Sequence, residues 1–344
     1  AAIRSRIALK IQYMTSAVNR LTRVSHHIYF HIMHITLFAH HVRIALPFLV
    51  AAILIGCGTV DPATNLVGGQ DVYLRIWAHS DIQPRSPEEK SHYETAVADM
   101  TAGVPGIRMA IVAGDLVHRR EGASEYHRWL ADLRGGSGIP WWFEIAGNHD
   151  QNDIAAYQKY TGKPLHYAVA AGNMLIILMS DEIRSAVTDL SDGAFQWWRD
   201  LVVENQGRIL VTVTHGALHG SGLPSTINPT MRIAESSRFI EVLRTHPVDL
   251  WMSGHSHLPS LFTGKISRPP GIRTLFVDVS SIHKSRFSPV ESYVLTIRAG
   301  SDRMNIMLRD HEAGRFIRSR SAVMRLRTQL KWDGDDPKIV STYR

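Results

Sequence analysis

Eight residues in this chain carry side chains that bind hard cations or move protons, and each follows a stretch that reads as a β-strand. They are Asp81 and Gln83, Asp115, Asn148 and His149, His215, and His255 with His257. Carboxylate, amide and imidazole groups supply oxygen and nitrogen donors suited to Mn²⁺, Fe or Zn²⁺. Two such ions, roughly 3.5–4 Å apart, clamp the attacking and leaving oxygens of an in-line displacement at phosphorus. Cations that close repel each other, so a carboxylate must bridge them. Singly, each residue has an ordinary explanation. Asp81 after Ser80 is a helix-cap pattern, Gly114-Asp115 a turn, and Gly147-Asn148 a turn with a left-handed Asn. His215 alone reads as a hydrogen-bonded core histidine. A five-part ordered set requires all of those explanations to hold together.

The elements that must position these residues follow from hydrophobic patterning. Strands are expected over residues 72–79, 108–113, 140–146, 208–214 and 248–253, each running into one of the polar segments. A hairpin is expected from 165–170 and 173–180 around Ala171-Gly172. Helices are expected over 87–100, 121–133, 193–205 and 234–245. Three further strand-like runs cover 273–279, 292–298 and 303–308. Alternating strands and helices followed by strands alone predict an α/β body with mixed sheets. In open α/β sheets, ligands bind beyond the carboxyl ends of the strands, which gathers the distant polar segments at one rim.

Taken in order, Ser80-Asp81-Ile82-Gln83, Gly114-Asp115, Gly147-Asn148-His149-Asp150, Thr214-His215 and Gly254-His255-Ser256-His257 resemble the motif series of the calcineurin-like metallophosphoesterases. The resemblance spans roughly residues 72–279 and extends weakly to 309. It implies two packed mixed β-sheets flanked by helices, a four-layer sandwich. It also implies two divalent metal ions, Mn²⁺ first, with Fe, Zn²⁺ or Mg²⁺ as alternatives. In that family Asp115 would bridge the ions. Asp81, Gln83 and His257 would complete one site, and Asn148, His215 and His255 the other. His149 would stay off the metals, stabilise the phosphoryl oxygens and protonate the leaving oxygen. Asn148 would also touch substrate.

The chain departs from the family pattern in two places. The first motif usually ends in His and here ends in Gln83, whose amide oxygen is a weaker and harder ligand; branches that cleave nucleotide diphosphates show a similar Asp-x-Gln. In Gly114-Asp115-Leu116-Val117-His118-Arg119, the protein phosphatases carry an Asp where His118 stands, which speaks against that branch. Arg119 lies where they place an Arg on phosphate, and is a candidate substrate contact against a surface salt bridge. Trp141-Trp142 and Trp197-Trp198 read as core or half-buried. His219 and Asn228 lie in a Gly/Pro/Ser-rich loop, 216–229, that reads as a substrate contact or a plain connector.

The chain has 344 residues, 44% of them hydrophobic, enough for a full core, and one cysteine, Cys57, so no intramolecular disulfide forms. Its formal charge of +7 first points to nucleic acid. Residues 1–56, however, hold six basic residues (Arg4, Arg6, Lys10, Arg20, Arg23, Arg43) and no acidic ones, leaving 32 basic against 31 acidic elsewhere. Nucleic acid is therefore not an expected partner. The apolar run 44–55 follows Arg43, is too short to span a bilayer, and ends in Leu54-Ile55-Gly56-Cys57, which resembles a bacterial lipobox. Met33 would make a better signal-peptide start than the residues before it. The expected organisation is an upstream segment and lipoprotein signal peptide over 1–56 and a flexible tether over 57–70. A metallophosphoesterase domain over 71–309 and a basic C-terminal extension over 310–344, read as a solvated tail, complete it. Gly58 in place of Asp favours the outer membrane, periplasm-facing and lipid-anchored through Cys57.

The expected function is dinuclear-metal hydrolysis of a phosphoester or diphosphate bond in a small phosphorylated substrate. The alternative is a fold-retaining binding or scaffolding protein with little or no turnover. Every expected ligand position holds a competent donor and His149 is present, which favours the enzyme. Neither the substrate nor the oligomeric state follows from the sequence.

Overall fold

Side chains alternate between two faces along most strands, and here both faces are apolar, so the strands belong to sheets covered on both sides. The computed structural model describes residues 72–182, 188–259, 264–279, 281–284 and 289–343, all within one unit, Asn65–Arg344. The expected signal peptide, Cys57 and the tether over 57–70 lie outside the described residues. Among the described residues, no helix is long and apolar enough to cross a membrane.

In chain order the elements begin with β1 (Tyr73–His79), α1 (Pro87–Gly103), β2 (Ile107–Ala113), α2 (Ala123–Gly136) and β3 (Trp141–Ile145). A 3₁₀ turn (Asp150–Asp153), α3 (Ile154–Thr161), β4 (His166–Ala171), β5 (Met174–Met179), α4 (Asp192–Glu204) and β6 (Ile209–Thr214) come next. After two further 3₁₀ turns come α5 (Ser236–Thr245), β7 (Leu250–Ser253), β8 (Ile266–Ser267) and β9 (Leu275–Asp278). The chain then runs through β10 (Glu291–Arg298), β11 (Arg303–Asp310), β12 (Arg315–Arg325) and β13 (Lys338–Tyr343).

One sheet has the order β12-β11-β10-β1-β2-β3 and the other β13-β4-β5-β6-β7-β9-β8. Both are mixed. β1, β2 and β3 are parallel, as are β5, β6, β7 and β9, while the outer strands pair antiparallel except at β3. The inner faces meet in a core that includes Leu74, Ile76, Met109 and Ile111 from one sheet and Ile176, Leu178, Val211 and Val213 from the other. The opposite face of the first sheet, with Trp77, Ala110 and Val112, packs on Tyr93, Ala96, Val97 and Met100 of α1 and on Leu130 of α2. The opposite face of the second, with Leu175, Ile177 and Trp251, packs on Trp198 of α4 and Phe239 and Leu243 of α5. Helix, sheet, sheet and helix are the four layers the motif series implies.

Local chemistry sets the helix starts. Ser86 caps α1 by accepting from the Glu89 N–H at 3.2 Å, with Pro87 at the first helical position. Ser191 does the same for α4, accepting from Ala194 N–H at 3.2 Å. The buried residues of α1 recur at helical spacing, which is what the expected helix over 87–100 rested on.

The reading of 310–344 as a solvated extension is corrected. β12 pairs antiparallel with β11 and β13 antiparallel with β4, so the segment supplies an edge strand to each sheet. β12 exposes Arg315, Arg318 and Arg325, charges of the kind that keep a sheet edge from recruiting another chain, while β13 exposes Lys338 and Thr342 beside Ile339 and Val340. That exposure erased the apolar alternation by which a strand is recognised.

Candidate metal centre

The parallel strands end at one rim, and the turns that leave them carry the polar residues. Asp81 and Gln83 follow β1, Asp115 follows β2, Asn148 and His149 follow β3, His215 follows β6, and His255 and His257 follow β7. Backbone hydrogen bonds knit the turns together: Asp81 N–H donates to Gly114 O (2.9 Å), Gln83 N–H to Asp115 O (3.1 Å), and Gly254 N–H to His215 O (2.9 Å). Each of these bonds stays within one sheet's half of the site, and the halves are joined by His255 N–H donating to Asp81 Oδ2 at 3.0 Å, since β6 and β7 belong to the other sheet from β1 and β2.

Among the described residues, the non-glycine residues with positive φ are Asp81 (55°), Asp115 (57°), His255 (66°) and His257 (47°). All four are expected ligands. Such a conformation costs about 1–3 kcal/mol per residue and persists where the surroundings over-determine it. Two glycines make the approach possible. A Cβ on Gly147 would meet Asp115 Oδ1, would lie 2.6 Å from Asp115 N and 2.8 Å from His215 Nε2. A Cβ on Gly254 would collide with the Ser80 side chain and lie 3.0 Å from Asp81 Oδ2.

The donor atoms converge. His215 Nε2 lies 3.3 Å from Asp115 Oδ2 and 3.1 Å from Asn148 Oδ1. Single ligand atoms of Asp115, His215 and His255 all fall within 4.8 Å of one another. His257 Nε2 lies 3.1 Å from Asp81 Oδ1, which is buried and has no hydrogen-bond partner in acceptable geometry. The Gln83 amide nitrogen faces Asp115 Oδ2 and His257 Nε2, each at 3.1 Å, and its oxygen faces His118 Nδ1 at 3.3 Å. A cation beside Asp115 and His257 would take this amide turned over, oxygen inward.

The distal nitrogens of two histidines are held by backbone carbonyls: His215 Nδ1 by Ala113 O (2.8 Å) and His255 Nε2 by Thr230 O (2.9 Å). A carbonyl only accepts, so each of these nitrogens carries the proton and the other faces the cluster, as in metal-binding histidines generally. An unpaired buried carboxylate oxygen, imidazoles with inward lone pairs and a buried acid beside two histidines all fit divalent cations.

Electrostatics agree with a cluster of opposite charges. Burial opposes ionisation of Asp81, but His257 and then His215 outweigh it and hold the carboxyl well below the usual range. Burial likewise opposes Asp115, and His215 brings its pKa down. Burial pushes His215 down, and Asp115 followed by Asp81 more than reverses that, leaving it well above the ordinary imidazole value. His257 is raised by Asp81 against its own burial. His255 is lowered, by burial and next by His215.

His149 stands apart from these contacts. Its N–H donates to Asp115 Oδ1 at 2.9 Å, while its ring Nδ1 lies 2.9 Å from His118 O. The His118 ring stacks on it at 4.9 Å between centroids and 27° between planes. Burial, then the electrostatic influence of the neighbouring His149, lowers the His118 pKa. Arg119 is exposed, and among the described residues no hydrogen bond joins it to the cluster. His219 bonds Arg232 (2.9 Å), and Asn228 caps the short turn that presents the Thr230 carbonyl. Trp198 is buried against Thr212, and Trp197, Trp141 and Trp142 are half-buried in the body.

The sequence motifs named Asp150 without giving it a task. Its carboxylate accepts from Leu116 N–H and Val117 N–H (both 3.1 Å) and from Gly147 N–H (2.9 Å), tying the turn after β2 to the turn after β3. Burial, then Asp115, raises its pKa to about 7. Ser256, between two of the histidines, donates to Asp278 Oδ2 at the end of β9. The main-chain oxygens of His118 and Thr230 were likewise not legible as site groups, because contacts made through main-chain atoms leave no residue-type signal.

Comparison with known proteins agrees with this geometry. Residues 74–259, more than half of the chain, match the calcineurin-like phosphoesterase family, and the chain belongs to it. The fold resembles a dimetal phosphatase from Danio rerio with TM-score 0.56 and 12% identity over 73% of this chain and 98% of that one. It also resembles GAP50, described as the anchor in the inner membrane complex of Plasmodium, with TM-score 0.54 and 11% identity over 76% and 91%. A purple acid phosphatase from yellow lupin (Lupinus luteus) seeds is similar at TM-score 0.50 and 11% identity, over 74% of this chain and 54% of that one. No curated protein sequence matches the chain.

Proposed function

We propose that this protein hydrolyses a phosphoester or diphosphate bond at a dinuclear metal centre. Asp115 would be shared between the ions, Asp81, Gln83 and His257 would hold one, and Asn148, His215 and His255 the other. The observation that carries the reading is the convergence of seven donor side chains at one rim, four of them on backbone held at positive φ. Strain of that kind clusters at functional sites, and together with a complete donor set and His149 it supports the enzyme over the binding-protein alternative. Two divalent ions bound there supply Lewis acidity to a phosphoryl oxygen and lower the pKa of a water nucleophile.

The chain's own groups do the rest. His149 Nδ1–H is spent on His118 O, so in the neutral ring Nε2 is bare and accepts, and in the imidazolium Nε2 donates. Proton transfer to the leaving oxygen therefore runs from the imidazolium through Nε2. Asn148 reaches into the site from the same turn, through Oδ1 beside His215. The Asn148 amide and the His149 ring would contact a substrate phosphoryl group, with Arg119 as an outer cation. The ions are Mn²⁺ first, since Gln83 is a hard donor.

Anchoring through Cys57 in a bacterial envelope, facing the periplasm, belongs to the same proposal. It is supported by the order of Arg43, the short apolar run and Leu54-Ile55-Gly56-Cys57. The deciding experiment for the activity is a panel of phosphomonoesters, phosphodiesters, cyclic nucleotides and nucleotide diphosphates, with and without Mn²⁺. Metal-dependent turnover of one class is the expected result. No turnover of any class with both metal sites filled would favour the binding protein.

A further inference from the structure

We infer that His118 is the positioning residue that decides which end of the Gln83 amide faces the cation site, so that the chain's two departures from the family pattern form one coupled unit. The inference rests on Gln83 being a metal ligand, as proposed above.

The two unusual residues touch. His118 Nδ1 is 3.3 Å from Gln83 Oε1, although 35 positions separate them in the chain. A primary amide has an acceptor end and a donor end, and the Gln83 amide lies between two environments. On the inner side are Asp115 Oδ2 and His257 Nε2, each 3.1 Å from Nε2 of the amide. On the outer side, among the described residues, is His118. When the inner side holds a cation, the amide must present its oxygen there, and its NH₂ group then needs an acceptor outside. The neutral imidazole of His118, with its proton on Nε2, offers a bare Nδ1 in that place. With the other tautomer, Nδ1–H meets the amide oxygen and the arrangement seen here results. An imidazole serves both orientations, which a phenyl ring does not.

The ring is held where it can do this. It stacks on His149 with centroids 4.9 Å apart, and its main-chain oxygen takes the His149 Nδ1 proton at 2.9 Å. His215 and His255 have backbone carbonyls to fix their ligand atoms. Gln83 has no such anchor, and His118 takes that task. Partners that orient a ligand from behind typically change metal affinity by about 10–100-fold when removed.

A double-mutant cycle on the full chain, read as Mn²⁺ retained in equilibrium dialysis, tests this. His118→Phe keeps a ring for the stack and the main-chain carbonyl but removes Nδ1. It should weaken Mn²⁺ binding about tenfold or more, and adding it to Gln83→Ala should cause no further loss. His118→Asn, whose side-chain oxygen falls near the lost Nδ1, should restore most of the affinity. Additive losses in the double variant would overturn the coupling. Wild-type retention in His118→Phe alongside a loss in Gln83→Ala would overturn it too while leaving the ligand assignment standing. Wild-type retention in Gln83→Ala would overturn both. Thermal midpoints check the fold, and if His118→Phe does not fold, His118→Ala against His118→Asn reads the same difference.

Discussion

His215 turns its Nδ1–H onto the carbonyl oxygen of Ala113 at 2.8 Å, and this contact crosses from the second sheet to the first. Ala113 is the last residue of β2, two positions before Asp115. The same strand end therefore supplies both the carboxylate proposed to bridge the ions and the group that aims the imidazole at it. Moving one sheet against the other would lengthen the hydrogen bond and open the 3.3 Å approach of His215 Nε2 to Asp115 Oδ2 together. Metal affinity and sheet packing are thus linked through one residue.

Separate roles for Asp115 and His149 lead to separate phenotypes. His149→Ala should keep its metal and lose turnover by roughly 10²–10⁴-fold, the usual weight of a proton donor. Asp115→Asn should lose metal, because a neutral amide does not offset the repulsion of two cations. Elemental analysis beside kcat on the best substrate distinguishes them, and the reversed pattern would overturn the assignment.

Gly147→Ala is expected to abolish metal binding without removing any donor. The added methyl group would press on Asp115 Oδ1, Asp115 N and His215 Nε2, and relieving it must spread the ligands. Overpacking of this kind costs typically about 1–3 kcal/mol in stability. Metal content should fall while the thermal midpoint drops modestly; full retention of metal would show that the turn after β3 has room to shift.

Acid sensitivity should trace in part to Asp99, far from the metals. Its carboxylate takes Arg309 Nη2 at 2.6 Å and His311 Nδ1 at 2.8 Å. Burial opposes its charge, but hydrogen bonds from Arg309 and then His311 hold its pKa below the usual carboxylate value. A depressed folded-state pKa adds stability that is complete above the unfolded value, about pH 4, and is lost as pH falls through the folded value. Asp99→Asn should therefore destabilise the protein at neutral pH by about 1–3 kcal/mol, less than a fully buried pair because Asp99 is only half-buried and screened by solvent. The gap from wild type should shrink in unfolding titrations below pH 4, and a gap independent of pH would refute the charge argument.

Cys57→Ser should release the protein from membranes if the lipid anchor is real. An acyl chain contributes about 0.8 kcal/mol per buried CH₂. Fractionation of cells expressing each form checks this, and a variant that stays with the membrane would exclude Cys57 as the attachment point.

Much of this was legible in the residues. Strand ends were readable because apolar runs stop abruptly at Gly-Asp, Gly-Asn and Gly-His, and the four long helices because their buried positions recur every three or four residues. α3 escaped, since in eight residues only Ala156 and Tyr157 are buried. β12 escaped because an edge strand facing water keeps arginine where a core strand has valine, and β13 because its six residues show no buried face to alternate with an exposed one. The site itself was readable as a donor set. Its aiming groups were not: Ala113 O, Thr230 O and His118 O act through atoms that every residue possesses.

The late position of β12 and β13 governs how the protein is made. Lys338–Tyr343 pairs with His166–Ala170, and Arg315–Arg325 with Arg303–Asp310. A ribosome that has delivered all the proposed metal ligands has still not delivered β12 or β13, which form one border of each sheet. Until it does, the backbone of β4 and of β11 faces outward as an open template, and the β4 partner is distant enough in sequence to make closure slow. Translation thus leaves a window in which the turns of the candidate site sit on an unfinished scaffold, and chains stalled there are the ones expected to aggregate.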